Sequence, residues 1–321
     1  MRDVTGADGV LTGEQERAAC AGGLSYLDLL AHHVGGGPVL PDAVVLPAGP
    51  EQVSGVLAVC RAHDVAVVPF GGGTSVVGGV TALRGPKRAV VALDLRRLDQ
   101  LVHVDPVSRQ ATLRAGLRGP DAERLLAARG LTLGHVPQSF ERATIGGFAA
   151  TRSAGQASGG YGRFEDMVVG VRLATPAGDW DLGGAPASAA GPDLLRLVLG
   201  SEGAFGVITE VTVRVRPLPT HRRYEGLVLD GWARGTEAVR ALAQDRVLAD
   251  VTRLSDADET DLGLALAGGA RTALVRRYLR ARGVTEPCLL VLGWEGTSAA
   301  DVAARRAAAR RVLRPFRPVG L

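Results

Sequence analysis

Between Val65 and Gly79 the chain reads as a buried strand running straight into glycine: Val67-Val68-Pro69-Phe70-Gly71-Gly72-Gly73-Thr74-Ser75-Val76-Val77-Gly78-Gly79. Glycines in such a run adopt positive φ at no steric cost and leave their backbone N–H groups unshielded. The loop can therefore wrap an anionic pyrophosphate as a nest, with Thr74 and Ser75 adding hydroxyl donors. A plain turn is the other use of such a loop. No lysine follows the second glycine cluster, so it is not a Walker loop, and no GxGxxG opens a helix after the first strand. The position of five glycines and two hydroxyls between two strands favours the cradle.

Around this loop the pattern is mixed. Strands are predicted at Ala43–Leu46, Val65–Pro69 and Ala89–Asp94, and a helix at Glu51–His63. Pro50 suits the first turn of that helix, Glu51 complements its dipole, and Val53, Val56, Leu57 and Cys60 recur at helical spacing. Further strands fall near Leu101–Val104, Gln110–Ala115, Val168–Thr175 and Asp179–Asp181, with helices at Pro120–Arg129, near Gly146 and at Leu194–Leu199. Val207, Thr209, Val211, Val213 and Val215 then alternate as a half-buried strand. Residues 39–218 accordingly read as an α+β domain. Residues 1–38 read as an N-terminal helical appendage, one helix from Gly13 to about His33 that stops at Gly35-Gly36-Gly37-Pro38.

Beyond Pro217-Leu218-Pro219, predicted strands at Tyr224–Leu229, Asp250–Leu254 and Cys288–Trp294 alternate with helices at Ala233–Gln244, Thr260–Arg282 and Ala299–Leu313. That order is most of a ferredoxin-like split unit. No closing strand is read after the last helix, so residues 219–321 are expected to form an incomplete ferredoxin-like domain. The chain has 321 residues, in keeping with two domains.

Two more segments are rich in small residues. Pro137-Gln138-Ser139-Phe140-Glu141-Arg142-Ala143-Thr144-Ile145-Gly146-Gly147-Phe148-Ala149-Ala150-Thr151-Arg152-Ser153-Ala154-Gly155 would let backbone approach a flat ring or a phosphate, or equally would let a helix pack tightly on a sheet. Gly200-Ser201-Glu202-Gly203-Ala204-Phe205-Gly206-Val207-Ile208-Thr209 is a glycine-rich turn entering a strand, and by itself no more than a loop.

In order and spacing the three segments, with Tyr161-Gly162 followed by Glu165-Asp166, resemble the FAD-binding domain of the p-cresol methylhydroxylase and vanillyl-alcohol oxidase superfamily. Within it they are most similar to alkylglycerone-phosphate synthase and to the glycolate oxidase and D-lactate dehydrogenase group. The resemblance covers about residues 39 to 218 and continues weakly beyond. It implies a two-subdomain fold that clasps FAD, followed by a substrate-binding cap. By motif position Pro69, Phe70, Gly71, Gly72, Gly73, Thr74 and Ser75 would hold the pyrophosphate. Gln138, Ser139, Thr144, Gly146 and Gly147 would line the flavin path, Thr151, Arg152, Ser153 and Ala154 would contact FAD, and Glu202, Gly203, Gly206, Val207 and Ile208 would complete the site.

The resemblance also implies either hydride transfer from a hydroxy acid or alcohol to flavin N5, or synthase-like chemistry, with a small-molecule substrate. Relatives with a tethered flavin carry a histidine after the glycines where this chain has Thr74, so FAD should be held without a covalent bond. Synthase-type relatives tend to carry an arginine before the Gly-Pro-Asp turn, where this chain has Ala187, which sets phosphate-ester specificity in question. The family's active-site Tyr and His residues would lie past Leu321, which leaves the catalytic residues unknown. A catalytically incomplete FAD-binding fragment, or half of a split enzyme, is the alternative reading. A homodimer and a complementing C-terminal chain are the two assemblies considered.

Among single residues, Arg253 could reach substrate from a strand of the cap, although an exposed strand arginine is the commoner case. His135 precedes the flavin segment and could sit near the ring or in a loop. His32, His33, His63, His103 and His221 have no partner at metal-ligand spacing, so no metal is expected. Cys20, Cys60 and Cys288 lie far apart and should be buried thiols. The net charge is only +4, and Lys87 is the one lysine beside many arginines that fall on helix faces, so no nucleic-acid partner is expected. No run approaches the length of a membrane span and no apolar signal core begins the chain, which points to the cytoplasm.

Overall fold

The structure, a computed structural model, describes residues 1–33, 37, 39–185 and 188–321. It divides into one unit of Met1–Ala154 with Arg163–Arg216, and a second of Gly155–Gly162 with Pro217–Leu321.

The first unit opens with α1 (Arg2–Thr5), β1 (Val10–Leu11), α2 (Glu14–Ala19) and α3 (Tyr26–His33), followed by β2 (Ala43–Val45), α4 (Pro50–Ala62), β3 (Val65–Phe70) and β4 (Ala89–Asp94). The four strands form one sheet in the order β1-β2-β4-β3, with β2 and β3 both parallel to β4 and β1 antiparallel at the edge. Helix α4 buries Val53, Val56, Leu57 and Cys60, the face its spacing foretells. Because β3 and β4 are parallel neighbours, the chain cannot turn back in a hairpin after Phe70 and needs a long crossover. No helix fills the connection from Gly71 to Arg88, and its first residues are the glycine run.

A second sheet is built from β5 (Leu101–Asp105) and β6 (Gln110–Arg114). After α5 (Gly119–Ala127), β7 (Leu131–Thr132), α6 (Ile145–Ala150), α7 (Ser158–Tyr161) and α8 (Phe164–Met167), it continues with β8 (Val168–Thr175), β9 (Gly178–Gly183), α9 (Leu194–Val198) and β10 (Val207–Arg214). Its order is β5-β6-β10-β8-β9, antiparallel throughout. Helix α6 lies on β6 and β10, and Gly146 lets it do so: a Cβ there would fall 2.7 Å from the Ala115 Cβ.

After β11 (Arg216–Pro217) the second unit runs β12 (His221–Asp230), α10 (Trp232–Gln244), β13 (Val251–Leu254), α11 (Ala257–Ala267), α12 (Gly269–Ala281), β14 (Pro287–Gly296), α13 (Ala299–Leu313) and β15 (Val319–Gly320). The sheet order β13-β14-β12-β15, all antiparallel, is that of a ferredoxin-like unit. Alternation along the strands sorts the two faces. Leu227, Leu229, Leu290, Leu292 and Trp294 pack with Ala238, Leu242, Val302, Ala309 and Leu313 of α10 and α13, while Val228 and Val319 pack with Leu279 on the other face.

The segment from Gly155 to Gly162, which contains α7, leaves the first unit to join this one. The Gly160 N–H donates to the Asp250 carbonyl at 3.1 Å, and the Tyr161 hydroxyl donates to Glu295 Oε2 at 2.9 Å.

Three expectations are corrected. The single helix from Gly13 to His33 is two, α2 and α3, because Gly22-Gly23 interrupts it, and the region is no separate appendage. Cys20 is fully buried, β1 pairs with β2, and the Leu24 N–H donates to the Ser75 carbonyl at 2.7 Å. The helix expected over Thr260–Arg282 also breaks in two, at Gly268, whose φ of +59° no regular helix tolerates. The strand thought missing after the last helix is β15, only two residues long. The Gly35, Gly36 and Pro38 part of the proposed stop lies outside the described residues, as does Ala187, and nothing is described of the His32 side chain.

Candidate active site

A cavity of about 370 Å3 opens at the carboxyl end of β3. Its floor is the glycine run. Gly73 is left-handed (φ +62°), and a Cβ on it would lie 2.7 Å from the Phe70 ring. Among the described residues, no protein acceptor takes up the backbone N–H groups of Gly71, Gly72, Gly73, Thr74 or Ser75. Ser75 secures the far end of the loop, where its Oγ accepts from the Gly79 N–H at 3.2 Å.

The second wall is the start of α6. Thr144 is its N-cap, with Oγ1 accepting from the Gly147 N–H at 3.3 Å. A Cβ on Gly71 would stand 2.6 Å from that same oxygen, so the loop and the helix start touch through backbone and small groups.

The third wall is the turn before β10. Glu202 takes a left-handed φ of +49° and its N–H donates to the Ala150 carbonyl at 3.0 Å, while Gly203 (φ +88°) rests against the Pro69 ring. Among the described lining residues, Glu202 carries the one ionisable side chain. An anion in this cavity would therefore be met by backbone N–H groups and hydroxyls rather than by lysine or arginine.

Of the cofactor-site residues named from the sequence, all but Gln138, Arg152, Ala154 and Val207 line the cavity. Gln138 and Ala154 are exposed, and Val207 is 2% exposed with its side chain in the core. Arg152 turns away at φ +49°. Its Nε donates to the Leu199 carbonyl at 2.8 Å, its Nη2 to the Arg196 carbonyl at 2.7 Å, and it pairs with Glu165. Arg253 lies on the surface of the second unit, paired with Glu259.

Sequence reasoning missed Val76, Val77, Val80, Leu95, Phe148 and Ala150, apolar lining residues with no chemistry to mark them out. Most are close sequence neighbours of a residue that was named.

His135 is 2% exposed, behind this wall. Its ring lies 4.9 Å from Phe148 and 5.2 Å from Phe164, and its Nε2 is 3.0 Å from Oγ of Ser153, a lining residue. Burial pushes its pKa down to about 4, so the ring is neutral at pH 7. The thiols are buried as expected; burial raises Cys20 to about 12 and Cys60 to about 11, leaving them inert. No cluster of metal ligands occurs among the described residues, and no described helix is long and apolar enough to cross a membrane.

Residues 41–181 match the family described as FAD binding domain, and residues 218–316 match FAD linked oxidases, C-terminal domain. The chain is 33% identical over 304 residues to the alkyldihydroxyacetonephosphate synthase of Dictyostelium discoideum, covering 89% of this chain and 50% of that protein. It is 33% identical over 186 residues to the glycolate oxidase protein GlcD of Bacillus subtilis, covering 57% and 39%. A solved structure of an alkyldihydroxyacetonephosphate synthase superposes with a TM-score of 0.89 at 30% identity, over 98% of this chain and 59% of that one. A p-cresol methylhydroxylase structure shares the fold at a TM-score of 0.72 and 16% identity. The chain spans about half the length of the synthase that it matches.

Proposed function

Because the chain belongs to the FAD-linked oxidases, we propose that its first unit holds FAD without a covalent bond and that the protein acts as a FAD-dependent enzyme. The observation that carries this reading is the glycine run at the end of β3, whose N–H groups meet no protein acceptor and whose residues line a cavity with no basic side chain among the described lining residues. The fit is steric as well. The glycines leave room where a Cβ on Gly71 or Gly73 would intrude on Thr144 or Phe70. Gly71 to Ser75 would bind the pyrophosphate, Thr144, Gly147, Thr151 and Ser153 would line the path of the rings, and Gly203, Gly206 and Ile208 would close the site. Thr74 stands where tethered relatives have a histidine, and a hydroxyl cannot replace imidazole in that bond.

When bound, FAD supplies a two-electron acceptor. The chain's part is to position it, hold its charge on fixed dipoles and keep water from one face. Similarity to the synthases extends over both units, whereas similarity to GlcD covers little more than half the chain. We therefore favour alkyldihydroxyacetonephosphate-synthase-like chemistry over oxidation of a 2-hydroxy acid. Arg253 would be the second unit's contact for an anionic substrate, released from Glu259. The same reading takes the protein as cytoplasmic, with a second copy of itself or a complementing chain as partner.

The test is an absorbance spectrum of the purified protein followed by titration of the stripped form with FAD. A flavin-free protein that takes up no added FAD sinks the proposal.

A further inference from the structure

The His135 side chain makes one polar contact, and it points at the cavity wall. A neutral imidazole has one N–H and one bare nitrogen. The Nδ1 atom is buried without a hydrogen-bond partner, among the carbons of Phe148 and Phe164. A proton on Nδ1 would leave a buried donor with no acceptor, the costlier of the two arrangements. The proton therefore sits on Nε2, which donates to Ser153 Oγ at 3.0 Å.

Ser153 cannot move away to escape this assignment. Its N–H donates to the Phe148 carbonyl at 3.0 Å, and its carbonyl accepts from the Phe164 N–H at 3.0 Å. These bonds hold its backbone in place, and with one lone pair engaged by His135 the hydroxyl proton has to point elsewhere. Ser153 is one of the residues that line the cavity.

We propose that His135 is a positioning residue that occupies one lone pair of Ser153 Oγ and so directs the hydroxyl proton away from the imidazole, towards an acceptor atom of a ligand in the cavity. The inference rests on the FAD reading above, under which that atom belongs to the dinucleotide. It also explains why a polar ring occupies an otherwise aromatic cluster: Phe in its place would pack as well but would leave the hydroxyl free to rotate.

The test is a double-mutant cycle in the full chain, read as the Kd for FAD by flavin fluorescence. Ser153→Ala should raise Kd about tenfold, the worth of one hydrogen bond. His135→Phe should raise it by a similar factor in the Ser153 background and by less than about twofold when Ser153 is already Ala, because a residue that acts through another has nothing left to act on. His135→Gln, whose amide can donate towards Oγ, should restore most of the affinity. Equal effects of His135→Phe in both backgrounds, or none in either, overturn the proposal. Should His135→Phe fail to fold, Ser153→Ala carries the test by itself, and an unchanged Kd overturns it. Wild-type protein that binds no FAD at all brings down the FAD reading instead, a different result from wild-type binding that the variants leave untouched.

Discussion

Gly72 presses against the peptide of Arg142: a Cβ placed on it would lie 2.7 Å from the Arg142 carbonyl carbon, and nearer still to the oxygen. Backbone cannot give way as the tip of a side chain can. Gly72→Ala should therefore part the loop from the segment before α6, destabilising the chain by about 1–3 kcal/mol. The displaced N–H groups should also weaken FAD binding by about tenfold or more, as loss of a hydrogen bond to a charged group does. Gly263, exposed within α11 with nothing near its Cβ position, is the control. Gly263→Ala should stabilise by about 0.4–1 kcal/mol. Equal melting temperatures for the two variants would refute the assignment.

Stability should fall in mild acid through His135. Its folded pKa, about 4, is below the unfolded value of 6.5, so between these the unfolded chain binds the extra proton. The neutral ring carries no penalty above pH 6.5, and stability drains as pH falls from 6.5 towards 4, by on the order of 3 kcal/mol in total. Urea unfolding at about pH 7 and about pH 4.5, either side of most of that window, should show the gap between wild type and His135→Gln shifting against the wild type. A gap that stays constant contradicts the burial argument.

FAD should raise the melting temperature and leave with acid. A ligand that binds the native state alone stabilises by mass action, about 2.7 kcal/mol at a hundred times its Kd. Differential scanning with and without FAD measures the first effect. The second needs only trichloroacetic acid and a centrifuge: flavin should appear in the supernatant, and flavin in the pellet would show a tether where Thr74 offers no imidazole to make one.

Arg152 should behave as a brace and not as a ligand. Its guanidinium ties Leu199 and Arg196 to the end of α6. Arg152→Ala is expected to lower the melting temperature of the flavin-free protein. Arg152→Lys should not rescue, because an ammonium cannot span two carbonyls as the planar fork does. A normal melting temperature for Arg152→Ala with weakened FAD binding would reverse these roles.

The glycine run and the turn before β10 were legible because each is a local device: the residue that needs the conformation is the residue that shows it. Its motif places Arg152 beside Ser153, whereas its left-handed φ, invisible in sequence, swings the side chain to α9. His135 gave no usable signal, since its partner lies eighteen residues on and its burial comes from two rings on different helices. Gly22-Gly23 and Gly268-Gly269 interrupt stretches that were each read as one helix. The two residues of β15 are too few to alternate, and only their pairing with β12 defines them.

The excursion of Gly155–Gly162 governs how the gene can be cut. A break after Arg216 would not deliver two self-sufficient pieces: the N-terminal product would carry α7 with nothing to receive it, and the C-terminal product would lack the strap that holds Asp250 and Glu295 from one side. During synthesis, α7 emerges well before its strands, so the nascent chain must keep Tyr161 waiting until Glu295 has left the ribosome. Shuffling of this second unit among relatives would have to exchange two stretches of sequence at once, which ties the two halves into a single unit of inheritance.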